Sequence, residues 1–297
     1  MSDSSVSSST PAAASGELSF SSTCRVVRLG FGAMRITGPG IWGEPPDPAA
    51  AKRLLRRVVE LGINFIDTAD SYGPEVSERL IAEALHPYPA GLVIATKGGL
   101  TRQGPERWAP VGRGEYIQQC VEMSLRRLRL DCIELYQLHR IDPRVPLEET
   151  LGVLKSLQQA GKIRHVGLSE VSVDEIERAQ RILPIVSVQN LYNLANRQSE
   201  RVLDYCEKHQ LGFIPWFPIA AGDLTKPGGP LDLIAQRNGA TVSQLALAWL
   251  LQRSSVMLPI PGTSSIAHLE ENAGAAGLKL PSAAWREIEA LAQSRAI

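Results

Sequence analysis

Four residue types that together can deliver a proton to a carbonyl oxygen occur in order along this chain. They are Asp67 with Tyr72 close behind, then Lys97, then His139, and each closes or follows an apolar, strand-like run. Adding hydride to a carbonyl creates an alkoxide, so a catalyst needs a proton donor beside the oxygen and positive charge near the transition state. The four residues could supply both, which is typical of a site for reductive chemistry.

Tyr72 is the natural proton donor of the four. A phenol has a pKa of about 10, and the ammonium of Lys97 would favour its phenolate and ease release of the proton. Asp67 would pair with Lys97 and hold it in place. His139 could direct the carbonyl oxygen with a ring N–H or relay the proton, and the sequence leaves both roles and its protonation state open. Each residue alone is equally explained by packing or a structural ion pair, so it is their joint occurrence that predicts a site.

Alternating strand and helix patterns would position these residues. Helical spacing follows each of eight strand-like runs, which begin near Arg28, Asn64, Leu92, Cys132, His165, Val186, Gly212 and Val256. Eight such units predict an α/β fold of the (β/α)8 TIM-barrel type, with a parallel sheet whose carboxyl strand ends gather at one mouth. Ionisable residues at those ends can therefore meet although they are distant in sequence.

Both ends of the chain add to the barrel. Residues 18–27 could form a short hairpin, and a further helix begins at about Ser282, after the last unit. Residues 1–16 are a Ser/Ala-rich tract with almost no side chain to bury, which predicts a disordered N-terminal tail. We therefore expect a single barrel domain over residues 17–297.

Charge and cysteine content narrow the class of partner. The 31 basic and 31 acidic residues balance, so a small carbonyl substrate is expected, with no nucleic acid and no membrane as partner. No apolar stretch approaches the roughly 20 residues of a membrane span, and the chain start lacks a secretion signal. The cysteines lack metal-ligand spacing, which favours free thiols, no metal and a cytoplasmic location; they are Cys24, Cys120, Cys132 and Cys206. A monomer or weak oligomer would suffice for this fold.

Longer motifs around these residues resemble the aldo-keto reductase superfamily of NAD(P)H-dependent barrel enzymes, over about residues 27–291. The matching stretches are GINFIDTA at 62–69 followed by Tyr72-Gly73, Thr96-Lys97, the strand that ends in His139, and GKIRHVGLS at 161–169. The resemblance implies a catalytic tetrad with Tyr72 as general acid, and the tetrad is Asp67, Tyr72, Lys97 and His139. It also implies a cofactor extended across the barrel mouth, and the chain shows no GxGxxG fingerprint of a Rossmann domain after Gly30.

The same resemblance implies how the nicotinamide end of the cofactor would be held. Ser169, Glu170 and Gln189 would bind the carboxamide, and Glu170, where many members have Asn, keeps an acceptor and loses a donor. Trp216 would stack on the nicotinamide ring, or else serve as barrel packing. The expected cofactor residues in full are Ala33, Met34, Asp67, Ser169, Glu170, Gln189, Trp216, Pro218, Ile219, Ala220, Gly222, Leu224, Ile260, Gly262, Thr263, Ser264, Ser265, His268, Glu271 and Asn272.

Hydroxyl groups near a helix start would bind the adenosine end. The stretch from Ile260 to Asn272 resembles the superfamily's adenosine-binding segment, where Thr263, Ser264 and Ser265 suit a 2′-phosphate. Gly262 replaces the Lys of many members and His268 replaces their Arg, so fixed positive charge is lost. NADPH is the expected cofactor, and NADH use stays open.

Loops after the strands should set substrate specificity, here about residues 35–46, 98–113 and 140–146. Trp42 and Trp108 lie in these loops, and with Tyr72 and His139 they are the expected substrate contacts. An aromatic wall would suit a planar or aromatic aldehyde, but a loop Trp can equally be a lid or a packing plug. The overall pattern is similar to bacterial members that reduce pyridoxal, so pyridoxal is a specific hypothesis.

Two other functions stay open. A barrel Lys at a strand end can form a Schiff base with a carbonyl substrate, as in aldolases. Such a Lys should be largely unpaired and near neutral, whereas Asp67 should keep Lys97 charged. A redox sensor or regulatory subunit that binds nicotinamide nucleotide and turns over slowly would retain the same four residues, although the Ser/Ala-rich tail offers no apolar patch for a partner.

Overall fold

Strands and helices alternate along most of the computed structural model, which describes residues 10–219 and 226–293. The strands are β1 (Glu17–Ser19), β2 (Arg25–Val27), β3 (Phe31–Gly32), β4 (Phe65–Asp67), β5 (Val93–Gly98), β6 (Leu100–Gly104), β7 (Arg107–Pro110), β8 (Ile133–Leu138), β9 (Ile163–Ser169), β10 (Ile185–Gln189) and β11 (Gly212–Phe213). The helices are α1 (Pro48–Glu60), α2 (Val76–Leu85), α3 (Gly114–Leu128), α4 (Leu147–Gln159), α5 (Val173–Gln180), α6 (Glu200–His209), α7 (Pro230–Arg237), α8 (Val242–Arg253), α9 (Ile266–Gly274) and α10 (Ser282–Gln293). Short 3-10 helices cover Pro11–Ser15, Ala33–Ile36, Pro39–Ile41 and Ala275–Gly277.

Seven of these strands form one parallel sheet in the order β11-β10-β9-β8-β5-β4-β3. Residues 256–261 close the gap between its two edges, because the Leu258 N–H donates to the Phe213 carbonyl at 2.8 Å and the Gly30 N–H donates to the Pro259 carbonyl at 2.9 Å. Pro259 and Pro261 have no N–H to donate, so this eighth element is extended without being a regular strand. The predicted (β/α)8 barrel is confirmed.

The first barrel helix shows how the sequence directs the chain into the site. The Asp47 side chain caps α1 by accepting from the Ala50 N–H at 2.9 Å, which satisfies a donor that the helix itself cannot pair. Leu54 and Leu55 are fully buried on its inner face. Gly62 follows the helix with φ +82°, a left-handed conformation that suits glycine, and turns the chain into β4.

The N-terminal segment differs in part from the expectation. The predicted hairpin is present as β1 and β2, paired antiparallel. The prediction of a disordered tail up to residue 16 is wrong for residues 10–16, because Pro11–Ser15 form a 3-10 helix. Ala12 is fully buried there and its N–H donates to the Leu61 carbonyl at 3.1 Å, so a small side chain and a paired backbone suffice for packing. Residues 1–9 lie outside the described residues.

The expected loop at residues 98–113 also contains regular structure. It carries the antiparallel hairpin β6–β7, inserted between β5 and α3. The final helix α10 begins at Ser282, as predicted. None of the described helices is both long enough and apolar enough to cross a bilayer.

Candidate active site

The four residues of the predicted tetrad meet at the carboxyl end of the sheet. Asp67 ends β4, Lys97 is the penultimate residue of β5, and His139 directly follows β8. Tyr72 lies in the loop after β4, where its ring centroid is 5.9 Å from that of His139. The parallel strand ends therefore bring together side chains that are up to 72 positions apart in sequence.

Lys97 is fully buried and has three oxygen partners. Its Nζ donates to Asp67 Oδ2 at 2.6 Å, to the Thr68 carbonyl at 2.9 Å and to Tyr72 Oη at 3.4 Å. Burial opposes the ammonium charge, but Asp67 and Tyr72 outweigh it and raise the pKa of Lys97. A Schiff-base enzyme needs a near-neutral amine as nucleophile, whereas the Lys97 ammonium is charged and donates three hydrogen bonds. The geometry therefore argues against the aldolase hypothesis.

Tyr72 keeps its proton more tightly than the sequence suggested. Burial raises the pKa of its phenol, and the lowering effect of the Lys97 charge is too small to reverse that direction. The Lys97 ammonium does lower the pKa of Tyr72, as the sequence indicated, but burial disfavours the phenolate more strongly. A phenol that stays protonated is suited to donate its proton to a carbonyl oxygen.

Two glutamine amides hold the remaining oxygen of Asp67. Oδ1 accepts from Gln137 Nε2 at 3.0 Å and from Gln189 Nε2 at 2.9 Å. Gln189 was expected to bind the nicotinamide carboxamide. Its side-chain NH₂ instead donates to the Asp67 carboxylate and to Gln137 Oε1, the latter at 3.3 Å. Gln137 was missed in the sequence, where its position two residues before His139 in the same strand was the available signal.

His139 is buried and neutral. Burial, with the positive charges of Lys97 and Arg140, holds its pKa well below the ordinary value. Its Nδ1 lies 3.3 Å from the Ser71 hydroxyl. If Ser71 donates to Nδ1, the ring proton resides on Nε2 and can be donated to a carbonyl oxygen. The protonation state that the sequence left open is therefore the neutral one.

A cavity of about 520 Å³ opens above the tetrad. Its lining includes twelve of the predicted cofactor and substrate residues, which are Met34, Asp67, Tyr72, Trp108, His139, Ser169, Gln189, Trp216, Pro218, Ile219, Ile260 and Gly262. It also includes residues that the sequence analysis did not select, namely Gly32, Arg35, Ile41, Leu100, Arg140, Phe217 and Pro261. The mixture of aromatic rings, aliphatic side chains and a few polar groups is typical of a small-molecule site.

Arg140 is the most informative of the missed residues. Its Nη1 donates to the His139 carbonyl at 2.6 Å and to Ser169 Oγ at 2.9 Å. Burial lowers the pKa of this guanidinium, but an arginine side chain stays protonated in proteins. The arginine therefore adds a fixed positive charge to the cavity, and only its position after His139 could have indicated it.

Glu170 makes a contact other than the expected one. Its Oε1 accepts from the Trp216 indole N–H at 2.6 Å and from the Leu191 N–H at 2.7 Å. Glu170 does not line the cavity among the described residues. A half-buried indole needs an acceptor for its N–H, so Glu170 serves to fix the ring of Trp216 beside the cavity.

The expected adenosine-binding residues lie beside the cavity, at the start of α9. The Ser265 side chain caps this helix by accepting from the His268 N–H at 3.4 Å, and Thr263 Oγ1 accepts from the Ser265 N–H at 3.0 Å. Glu271 instead accepts from Thr241 Oγ1 at 2.6 Å. Ala33, Ser264 and Asn272 likewise lie outside the cavity lining, and the positions of Ala220, Gly222 and Leu224 fall outside the described residues.

Arg102 fixes the aromatic side of the cavity. Its guanidinium carbon lies 3.7 Å from the Trp108 ring centroid and 5.5 Å from that of Trp42. Its nitrogens donate to the carbonyls of Ile41 at 2.6 Å and Ser71 at 2.8 Å. The hairpin β6–β7 is thereby attached to the Tyr72 loop, with Trp108 as a cavity wall, whereas Trp42 is 38% exposed and does not reach the cavity lining.

Asp70 is a half-buried acid outside the tetrad. Its Oδ1 is shielded from solvent and has no hydrogen-bond partner among the described residues. Burial, together with the charge of Glu78, raises its pKa from 3.8 to about 7, although the Cys120 thiol and the Arg127 charge act in the opposite direction. Asp70 lies two residues before Tyr72, in the same loop.

We expect Asp70→Asn to flatten the pH profile of stability. A raised folded-state pKa means that the folded chain holds a proton that the unfolded chain releases, so wild-type stability falls as pH rises from about 4 to about 7. The variant should lose this fall, which is on the order of 3 kcal/mol. Urea unfolding at about pH 5 and about pH 8 would measure it. The exposed Asp131→Asn is the control, and a wild-type fall retained in D70N would contradict the assignment.

The chain is similar to known proteins both in sequence and in fold. Residues 28–293 match the model of the aldo/keto reductase family. The chain is 56% identical over 264 residues to an uncharacterised oxidoreductase of Schizosaccharomyces pombe, covering 89% of this chain and 86% of that one. It is 42% identical over 264 residues to pyridoxine 4-dehydrogenase of Escherichia coli, covering 87% and 92%. Its fold is similar to a crystal structure of an aldo-keto reductase from Klebsiella pneumoniae in complex with NADPH, with TM-score 0.77, 25% identity and coverage of 90% and 91%.

Proposed function

Because this chain belongs to the aldo/keto reductase family, we propose that it is an NADPH-dependent oxidoreductase that reduces an aldehyde or ketone to an alcohol. One observation carries the proposal: Tyr72 borders the cavity with its hydroxyl 3.4 Å from the buried Lys97 ammonium. NADPH would supply the hydride. Tyr72 would donate the proton, since its raised pKa keeps the phenol protonated.

The other residues would support this proton transfer. Lys97 stabilises the phenolate that Tyr72 becomes, and Asp67 keeps Lys97 charged and in place. Neutral His139, with Ser71 at its Nδ1, can donate from Nε2 to the substrate oxygen and hold it beside the Tyr72 hydroxyl. Two donors converging on one oxygen would favour the charge that develops there during reduction.

The residues around the cavity suit a nicotinamide nucleotide. Trp216 is held by Glu170 and provides an apolar ring beside Ser169, whose hydroxyl can bind an amide. Gly262 carries no charge, but Arg35 lines the same cavity, with its Cγ 3.5 Å from where a Cβ on Gly262 would lie. This guanidinium can supply the positive charge for a cofactor phosphate that the family's usual Lys would provide.

We infer that pyridoxal and its reduced form pyridoxine are the substrate pair to test first. The 42% identical relative from Escherichia coli is named pyridoxine 4-dehydrogenase. The cavity offers Trp108 and Tyr72 with ring centroids 6.4 Å apart in an edge-to-face arrangement, which suits a planar aromatic ring. Arg140 adds a cation that could bind the ring hydroxyl of pyridoxal as its phenolate.

The test is oxidation of NADPH and of NADH by the purified protein, followed by absorbance, with pyridoxal, 4-nitrobenzaldehyde and methylglyoxal in parallel. We expect turnover with NADPH and the best kcat/KM on pyridoxal. Activity on the other two aldehydes alone would support the reductase function but exclude pyridoxal as the substrate. Tight cofactor binding without turnover on any aldehyde would favour the redox-sensor hypothesis instead.

Arg102→Ala should raise KM for an aromatic aldehyde about tenfold while kcat changes little. The variant removes the cation beside Trp108 and the hydrogen bonds to the carbonyls of Gly40, Ile41 and Ser71 that attach the hairpin, interactions worth on the order of 1–2 kcal/mol. Steady-state kinetics with 4-nitrobenzaldehyde would measure it. Arg107→Ala, an exposed arginine on the same hairpin, is the matched control. An unchanged KM in R102A would show that Trp108 does not depend on this support.

A further inference from the structure

Three potential metal ligands meet at the end of the barrel opposite to the candidate active site. Cys24 lies between β1 and β2, Glu134 is the second residue of β8, and His165 is the third residue of β9. One ligand atom of each residue lies within 4.8 Å of the other two. The cysteines lack a ligand spacing in the sequence, which predicted no metal, but the fold brings Cys24 to two residues more than a hundred positions later.

The geometry at these atoms suits a small cation. His165 Nε2 is 3.6 Å from Glu134 Oε1, close to the separation of two ligands on one tetrahedral ion with bonds of about 2.0 to 2.3 Å. His165 Nε2 is also shielded from solvent and has no hydrogen-bond partner among the described residues. A buried ring nitrogen without a partner is costly, and a bound cation would satisfy it.

A neighbouring arginine orients the Glu134 carboxylate. Arg164 Nε donates to Glu134 Oε2 at 2.8 Å, which orients the carboxylate and leaves Oε1 toward His165. Cys24 is 3% exposed, and its thiol must lose its proton to bind a metal.

We propose that Cys24, Glu134 and His165 form a binding site for Zn²⁺ that attaches the N-terminal hairpin to the barrel. Sulfur, nitrogen and carboxylate ligands together suit Zn²⁺, whereas Mg²⁺ and Ca²⁺ prefer oxygen ligands alone. On binding, the Cys24 S–H bond breaks, the thiolate sulfur bonds to the ion, and the proton passes to solvent. The thiolate and carboxylate then supply two negative charges, of which the Glu134 charge is shared with Arg164, and a water completes the tetrahedron.

The test uses full-length protein treated with a chelator and titrated with Co²⁺, a coloured probe for such sites. We expect a thiolate-to-cobalt charge-transfer band that appears at one equivalent, is lost when Zn²⁺ is added, and is accompanied by release of a proton. Zn²⁺ should also raise the Tm of the wild-type protein. A wild-type protein without the thiolate band would overturn the proposal.

Variants separate this site from surface binding. Cys24→Ser and His165→Gln should each weaken Zn²⁺ binding by more than about tenfold and remove the Tm shift. Cys132→Ser is the matched control, because its half-buried sulfur adjoins the same strand but faces the Ile133 carbonyl at 3.8 Å. Equal Zn²⁺ affinity in wild type and in both ligand variants would refute the assignment, as would loss of binding in C132S alone.

Discussion

Tyr72→Phe is expected to lower kcat for carbonyl reduction by a factor of about 10² to 10⁴, the usual contribution of a positioned general acid. The substitution removes one oxygen and leaves a ring of the same size against Trp108 and His139. Binding of NADPH should be unchanged, because the lost proton donor acts only in the chemical step. Single-turnover kinetics and a cofactor titration by fluorescence would measure both.

A matched phenol elsewhere gives the control for this result. Tyr205→Phe removes a hydroxyl that donates to Gln180 Oε1 at 2.9 Å, on the outer helices and away from the cavity. It should leave kcat at the wild-type value. Full activity of Y72F would exclude Tyr72 as the donor, and loss of cofactor binding in that variant would assign it a structural role instead.

Lys97→Met is expected to damage both turnover and stability. The Lys97 charge lowers the pKa of Tyr72, so its removal makes the phenol a weaker acid. It also leaves the Asp67 carboxylate buried without its cation, which typically costs about 3–5 kcal/mol. We expect kcat to fall by about 10² or more, and the urea midpoint to fall with it.

A double variant separates the two effects of this substitution. Asp67→Asn combined with Lys97→Met removes the uncompensated charge, so it should recover much of the lost stability while kcat stays low. Lys162→Met, at an exposed ion pair with Glu122, is the control for removing a lysine and should change stability by less than about 1 kcal/mol. Wild-type turnover in K97M would contradict the proposed role of Lys97.

The tetrad could be predicted because the same four residues have side chains suited to proton transfer and lie at or just after strand ends in the sequence. In a parallel barrel the carboxyl ends of all strands lie at one mouth, so a residue recognised at a strand end in the sequence can be placed at that mouth in the structure. Asp67 and Lys97 were predictable as a pair for this reason, and their 2.6 Å contact follows from adjacent strands β4 and β5. The barrel itself follows from the eightfold alternation of strand and helix patterns.

The remaining contacts depend on tertiary packing that no local pattern encodes. Arg102 and Trp108 face each other only because β6 and β7 form a hairpin, and that segment had the composition of an ordinary loop. Glu170 bonds to an indole 46 positions away. Net desolvation is equally invisible in a sequence, which is why the direction of the Tyr72 pKa could not be predicted from its charged neighbour alone.

Residues 256–261, which contain two prolines, form the junction at which the two edges of the sheet meet and the barrel closes. Elsewhere in the sheet, regular ladders of hydrogen bonds join neighbouring strands. Pro259 and Pro261 have no N–H, so their carbonyls only accept hydrogen bonds, from the N–H groups of Gly30 and Gly32. A Cβ on Gly262 would lie 2.7 Å from the Gly32 carbonyl, so the two backbones meet there without a side chain between them. The N–H groups of Gly30 and Gly32 donate to the two proline carbonyls at 2.9 and 3.5 Å, so few hydrogen bonds must break for the barrel to open here. Ile260 and Gly262 also border the cavity. A ligand bound there would therefore hold residues 256–261 against the neighbouring strand, and ligand binding and closure of the barrel would be thermodynamically linked.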